Sequence, residues 1–141
     1  MDLVINPYIG IGNLKLGMTQ SQIRSTLNSS FESFNRNQYS EIPEDHFSDL
    51  GIFIEYKQPD VCDSIQLVKP LNPIWRGKQL LDTPFSELVK WFLEIDPDRE
   101  LDDTGFTSYK YGVGVYAPNY EEDPDCLPES IIIFSKGYYD T

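Results

Sequence analysis

One pattern constrains this chain more than any other. A glycine, an apolar pair and a short helix-forming stretch occur twice, half a chain apart. Gly12-Asn13-Leu14-Lys15-Leu16-Gly17-Met18-Thr19-Gln20-Ser21-Gln22-Ile23 is answered by Gly77-Lys78-Gln79-Leu80-Leu81-Asp82-Thr83-Pro84-Phe85-Ser86-Glu87-Leu88. The intervals Gly12 to Gly77, Leu16 to Leu81, Ser21 to Ser86 and Ile23 to Leu88 are each 65 residues. Strand-like segments follow both copies: Gly51-Ile52-Phe53-Ile54 matches Gly112-Val113-Gly114-Val115 at an interval of 61, and Ser64-Ile65-Gln66-Leu67 matches Ser130-Ile131-Ile132-Ile133 at 66. The intervals drift because connecting loops tolerate insertion. The expected fold is therefore α+β: two tandem helix-plus-antiparallel-strand repeats, about residues 9–70 and 74–136, forming one shared or continuous antiparallel sheet with helices on one face. A chain of 141 residues is long enough for one proper core, so a single domain is expected. Duplication repeats a shape more readily than it assembles an asymmetric catalytic centre, which favours a binding surface.

Local signals fill in the elements. Thr19 and Gln22 are spaced as a capping box, predicting a helix over 20–28 with Ile23 and Leu27 on one face. In the second copy Thr83 reads as the cap and Pro84 as the first helical residue, followed by the apolar stripe Phe85, Leu88, Val89, Phe92 and Leu93 and a stop before Pro97. Leu3-Val4-Ile5 reads as an edge strand or lead-in, 31–39 as one irregular strand, and 52–56 with 64–69 as a hairpin with Ile52 and Ile54 on one side and Ile65 and Leu67 on one face. A single strand is expected over 107–116. The unbroken run Ile131-Ile132-Ile133-Phe134 predicts a central strand with both faces covered or paired. Residues 42–49, 96–105 and 117–129 read as loops, and Pro70 and Pro73 mark a hinge between the halves. Gly10-Ile11-Gly12 is a tight turn; neither phosphate-loop pattern continues from it.

Charge narrows the partners. Against 11 basic residues the chain carries 23 acidic ones, a net charge of −12, so nucleic acid and anionic membranes are disfavoured and a basic protein is steered inward. Solubility alone is the competing explanation. The acids cluster in predicted loops: Glu41, Glu44, Asp45 and Asp49; Asp96, Asp98, Glu100, Asp102 and Asp103; Glu121, Glu122, Asp123 and Asp125. Tyrosines crowd the second half at Tyr109, Tyr111, Tyr116 and Tyr120, with Tyr138-Tyr139 near the end, either as wet sheet edges or as interface anchors. The candidate partner-binding residues are Tyr116, Tyr120, Glu121, Glu122, Asp123, Asp125, Glu44, Asp45 and Asp49.

Catalytic and metal readings find little. His46 is the only imidazole, and nothing around it nominates a serine or cysteine partner. The acidic stretch beginning at Asp96 lacks the glycine and terminal glutamate of a calcium loop. Cys62 and Cys126 lack CxxC spacing and are expected to be reduced, a bridge between halves being the less favoured alternative. No cofactor is expected. No apolar run approaches the ~20 residues that span a bilayer, and the first residues lack the basic start and apolar stretch of a secretory signal, so a cytoplasmic protein is expected.

The stretch Leu14-Lys15-Leu16-Gly17-Met18-Thr19-Gln20-Ser21-Gln22-Ile23, with Leu27, resembles the Leu-Gly-Met-Thr-x-x-Gln-Val helix opening of the superfamily of small outer-membrane assembly lipoproteins and β-lactamase inhibitor proteins. The inhibitors are themselves tandem helix-plus-sheet repeats whose concave sheet binds a protein. Read with Asp45-His46-Phe47, Leu50-Gly51-Ile52 and Gly137-Tyr138-Tyr139, the chain is also similar to small acidic immunity proteins encoded beside bacterial polymorphic toxins. That resemblance implies a non-enzymatic, protein-binding immunity protein that occludes a cognate basic toxin domain. Two alternatives stand beside it: a small-molecule binder or enzyme using a cleft between the repeats, and an envelope-assembly module.

Overall fold

Isoleucine-rich segments with period-two burial build the centre of the molecule. The computed structural model describes residues 3–35 and 42–139. In chain order its elements are β1 (Ile5–Asn6), β2 (Gly10–Ile11), β3 (Leu14–Lys15), α1 (Gln20–Leu27), β4 (Glu32–Phe34), β5 (Glu44–Phe47), β6 (Ile52–Lys57) and β7 (Val61–Leu67), then β8 (Ile74–Trp75), β9 (Lys78–Gln79), a 3₁₀ turn (Leu80–Asp82), α2 (Phe85–Ile95), β10 (Glu100–Asp102), β11 (Gly105–Ser108), β12 (Val113–Tyr116) and β13 (Ser130–Phe134). Eight of the strands form one antiparallel sheet in the order β10-β11-β12-β13-β7-β6-β5-β4, while β1-β2-β3 and β8-β9 make small separate sheets. The protein is thus a mixed α+β fold with two helices and a large antiparallel sheet.

Register decides which side chains face the core. Ile52 lies opposite Leu67 and Ile54 opposite Ile65; Leu67 and Ile65 in turn face Ile131 and Ile133, which face Val115 and Val113. Phe47 and Phe106 extend this buried row to either side. Over it pack Ile23 of α1 and Phe85, Leu88 and Phe92 of α2, with Ile11 and Leu14 of the first hairpin and Trp75 of the second. Phe92 meets Phe106 at 4.7 Å and Trp75 at 5.4 Å between ring centroids. Both helices therefore cover the same side of the sheet.

The helix ends follow two different rules. Thr19 Oγ1 accepts from the Gln22 amide at 3.1 Å while Gln22 Oε1 accepts from the Thr19 amide at 2.9 Å, and Asn28 closes α1 in the left-handed conformation at φ 44°. In α2 the expected cap is displaced. Pro84 itself occupies the cap position, and Thr83 Oγ1 donates instead to the Gln79 carbonyl at 2.8 Å, because the preceding 3₁₀ turn draws it back. The first amides of α2 are satisfied by loop carbonyls: Phe85 N donates to Cys126 O and Ser86 N to Pro124 O, each at 2.8 Å.

Several strands depart from expectation. Residues 42–49 and 96–105 were read as loops because they are acidic, yet they contain β5 and β10. The expected single strand over 107–116 is two strands, β11 and β12, turned at 109–112 with Gly112 at φ 68°. Only Glu32–Phe34 of the irregular strand is formed; its continuation over 36–39, and Glu41, lie outside the described residues. β13 is central, as expected, but its cover is uneven, since Ile132 is only half-buried. Leu93, expected in the α2 stripe, is half exposed. Cys62 and Cys126 are free thiols.

Candidate functional site: the open face of the sheet

Alternation that sends isoleucines inward sends their neighbours outward. The side of the sheet away from the helices carries Glu32 and Phe34 of β4, Glu44 and His46 of β5, and Phe53 and Glu55 of β6. It continues through Ser64 and Gln66, Ser130, Ile132 and Phe134, Gly114 and Tyr116, Gly105 and Thr107, to Glu100 and Asp102 at the far edge. A water-facing antiparallel surface is ordinarily polar. This one holds Phe34 at 56% exposure and Tyr116 at 44%.

One end is an aromatic stack. His46 lies parallel to Phe34 at 5.3 Å and edge-on to Phe53 at 5.0 Å, with Nε2 3.4 Å from Glu44 Oε1. The middle is tiled by polar pairs: Ser64 Oγ donates to Glu55 Oε1 at 2.9 Å and Gln66 Nε2 to Ser130 Oγ at 3.1 Å. The turn at 135–139 folds back on Phe134, where the Tyr138 hydroxyl donates to Glu55 and the Ser135 hydroxyl to Asp63. Burial, reinforced by the Glu55 carboxylate, pushes the Tyr138 hydroxyl above its ordinary range. Five carboxylates face outward across these registers. The basic residue at an outward register position, Lys57, lies at one end and is 3.4 Å from Asp63.

The candidate residues divide by face. Glu44 and Tyr116 share the outward side on β5 and β12, four strand spacings or about 19 Å apart across the sheet and further offset along the strands. Asp45 points the other way and is fully buried, so it belongs to the scaffold rather than to a contact surface. It accepts from Arg24 Nε at 2.9 Å, Arg24 Nη2 at 2.8 Å, the Tyr56 hydroxyl at 2.8 Å and Ser33 Oγ at 3.3 Å. Asp49 is exposed in the turn after β5 and accepts from Ser30 Oγ at 3.2 Å. Tyr120 packs on Phe85 at 4.6 Å and its hydroxyl donates to the Asp102 carbonyl, which pins the 117–129 loop to the core. Within that loop Glu121, Glu122, Asp123 and Asp125 are exposed, and Asp125 Oδ1 accepts from Ser86 Oγ at 2.5 Å beside the α2 N-terminus, where negative charge is favoured.

Phe34, His46, Phe53 and Ile132 were not among the candidates. Phe53, flanked by Ile52 and Ile54, was the one legible signal, since alternation sends a ring between two inward residues to the other face. Among the described residues no group of three His, Cys, Asp or Glu side chains is placed to hold a metal, and no helix is long and apolar enough to cross a membrane. Comparisons of the chain with protein-family models, curated proteins and solved structures found no match.

Proposed function

We propose that this chain is a non-enzymatic protein-binding protein, an immunity-type inhibitor that lays the open face of its sheet on a basic protein domain and occludes it. The observation that carries this reading is the character of that face, where exposed rings stand among carboxylates. Rings supply desolvated anchors, and carboxylates select and steer a cationic partner. Tyr116 and Glu44 retain their assignment as contacts, whereas Tyr120, Asp123 and Asp125 act in holding the loop and helix. Glu121, Glu122 and Asp49 belong to the surrounding rim. The same field repels nucleic acid and anionic membrane, in keeping with a cytoplasmic protein.

We read the scaffold as two repeats. Supporting this, a short hairpin, a helical segment and four antiparallel strands occur in that order twice. The two sets of strands meet at β7 and β13. In each half a carbonyl of the loop ahead of the last strand accepts from an amide at the start of the helix, Asp60 from Gln20 in the first and Pro124 from Ser86 in the second. Ladder hydrogen bonds join β7 and β13, so the two halves share one sheet.

The test is co-expression with a cytotoxic domain encoded beside this gene, a neighbour that the reading itself requires. Growth rescue and a stable complex on gel filtration are expected, both lost in a Phe34→Ala/Tyr116→Ala double variant and kept in Leu93→Ala on the helix side. Rescue that ignores the open-face variant, or no complex at all, refutes the reading.

A further inference from the structure

The open face is not flat. Where β11 and β12 run side by side, Gly105 is opposite Tyr116 and Thr107 opposite Gly114, so two outward positions carry no side chain. Gly105 is explained by its backbone: φ is +151°, and a Cβ would stand 1.9 Å from the Val115 carbonyl oxygen. Gly114 answers to packing instead. It sits in ordinary extended strand, and the nearest atom a Cβ would meet is Ile132 Cγ2 at 2.7 Å, the methyl of a side chain. A strand glycine lets another group approach the backbone closely, and here the Ile132 methyl leans over one side of it. Beside them lies a groove of about 170 Å³ lined by Gly105 and Gly114, which offer only backbone, and by Tyr116, Tyr139, Ile132 and Asp102. Glu100 is the next outward residue along β10, and no lysine or arginine lines the groove.

We propose that this groove receives the side chain of an arginine presented by the basic partner, a specification that rests on the protein-binding reading above. Each wall matches one property of a guanidinium. Its flat, weakly hydrated face stacks on tyrosine rings. Its edge presents a fork of N–H donors that a carboxylate such as Asp102 accepts. A lysine ammonium fits less well, because it is compact, strongly hydrated and has no face to stack. An anionic side chain is repelled by Asp102 and Glu100.

The test needs no partner. The protein is titrated with N-acetyl-arginine methylamide, and its amide NMR spectrum is followed beside parallel titrations with the citrulline and lysine analogues. Saturable shifts confined to Gly105, Thr107, Gly114 and Tyr116 are expected with arginine, with affinity about tenfold weaker for uncharged citrulline. Asp102→Asn weakens the arginine probe by a similar factor, and Gly114→Ala, which raises the floor, removes it; well-dispersed spectra establish that both variants are folded. Absence of saturable shifts, equal binding of citrulline, lysine binding at least as tightly, or full binding by the two folded variants each overturns the assignment. Because the probe replaces the partner, a failed titration leaves the co-expression result standing, and a failed co-expression leaves the titration standing.

Discussion

Asp45 shows how much a single register step decides. It lies between Glu44 and His46, both on the open face, yet it is fully buried with Arg24, Tyr56 and Ser33 around it. The Asp45 bond holds the Arg24 guanidinium more firmly protonated, and burial followed by the same carboxylate pushes the Tyr56 hydroxyl up. Removing the carboxylate strands an arginine and a phenol, so Asp45→Ala is expected to lower unfolding free energy by about 3 kcal/mol in urea titration. Glu121→Ala, at the exposed loop, should change it by less than about 0.5 kcal/mol. The sequence made this acidic cluster visible without sorting it, because composition is blind to which of two adjacent carboxylates turns inward. A second residue-scale effect concerns alkali. Burial pushes the Cys62 thiol from 9.0 up to about 12, and Tyr56 and Tyr138 are raised above 10.0. The folded chain therefore keeps protons that the unfolded chain releases, so these groups' contribution is fully present below pH 9.0 and is lost as pH rises toward 12. Urea midpoints should fall over that window, and Cys62→Ala should flatten the decline.

At the scale of elements, the two helices rest on different supports. α1 is eight residues long and buries Ile23 alone, so its capping box carries much of its definition. α2 buries Phe85, Leu88 and Phe92 and has its first amides met by the 117–129 loop. Thr19→Ala should accordingly cost about 1 kcal/mol in thermal or urea unfolding, the usual value of a lost N-cap. A capping box is legible because side-chain chemistry and spacing alone specify it. The α2 start was misplaced by one residue, since its amides are served by carbonyls nearly forty positions away. β5 and β10 were missed for a related reason. β10 alternates Glu100, Leu101 and Asp102 and β5 runs Glu44-Asp45-His46, and so short and polar a segment looks like a loop until a neighbouring strand supplies hydrogen bonds. The open-face site was half legible on the same grounds: Tyr116 and Glu44 stand out by type, while Phe34 and His46 acquire meaning only when β4, β5 and β6 are laid side by side.

At the scale of the whole molecule, stability is concentrated where the two halves join. β7 and β13 face each other with Ile65 against Ile133 and Leu67 against Ile131, all four essentially buried. Bonds from Gln66 to Ser130, Tyr138 to Glu55 and Ser135 to Asp63 cross the same line, and Tyr8 of the first half reaches the Tyr109 carbonyl of the second. A half alone would keep a four-stranded meander but lose one neighbour of its most apolar strand. It would then present unpaired N–H and C=O groups beside isoleucines, the condition that leads to aggregation rather than independent folding. Each half is also near the size at which a single core becomes marginal. Fragments 1–70 and 71–141 are therefore expected to show no cooperative thermal transition separately and to recover a native-like, cooperative transition when mixed. A cooperative transition in either fragment alone would mean that its core is self-sufficient and that the β7–β13 ladder only docks two finished units. The outward face, which spans that ladder from Phe34 to Asp102 with the 135–139 turn lying over Phe134 at its middle, would then be assembled from two movable halves, whereas complementation makes it one platform fixed by folding itself.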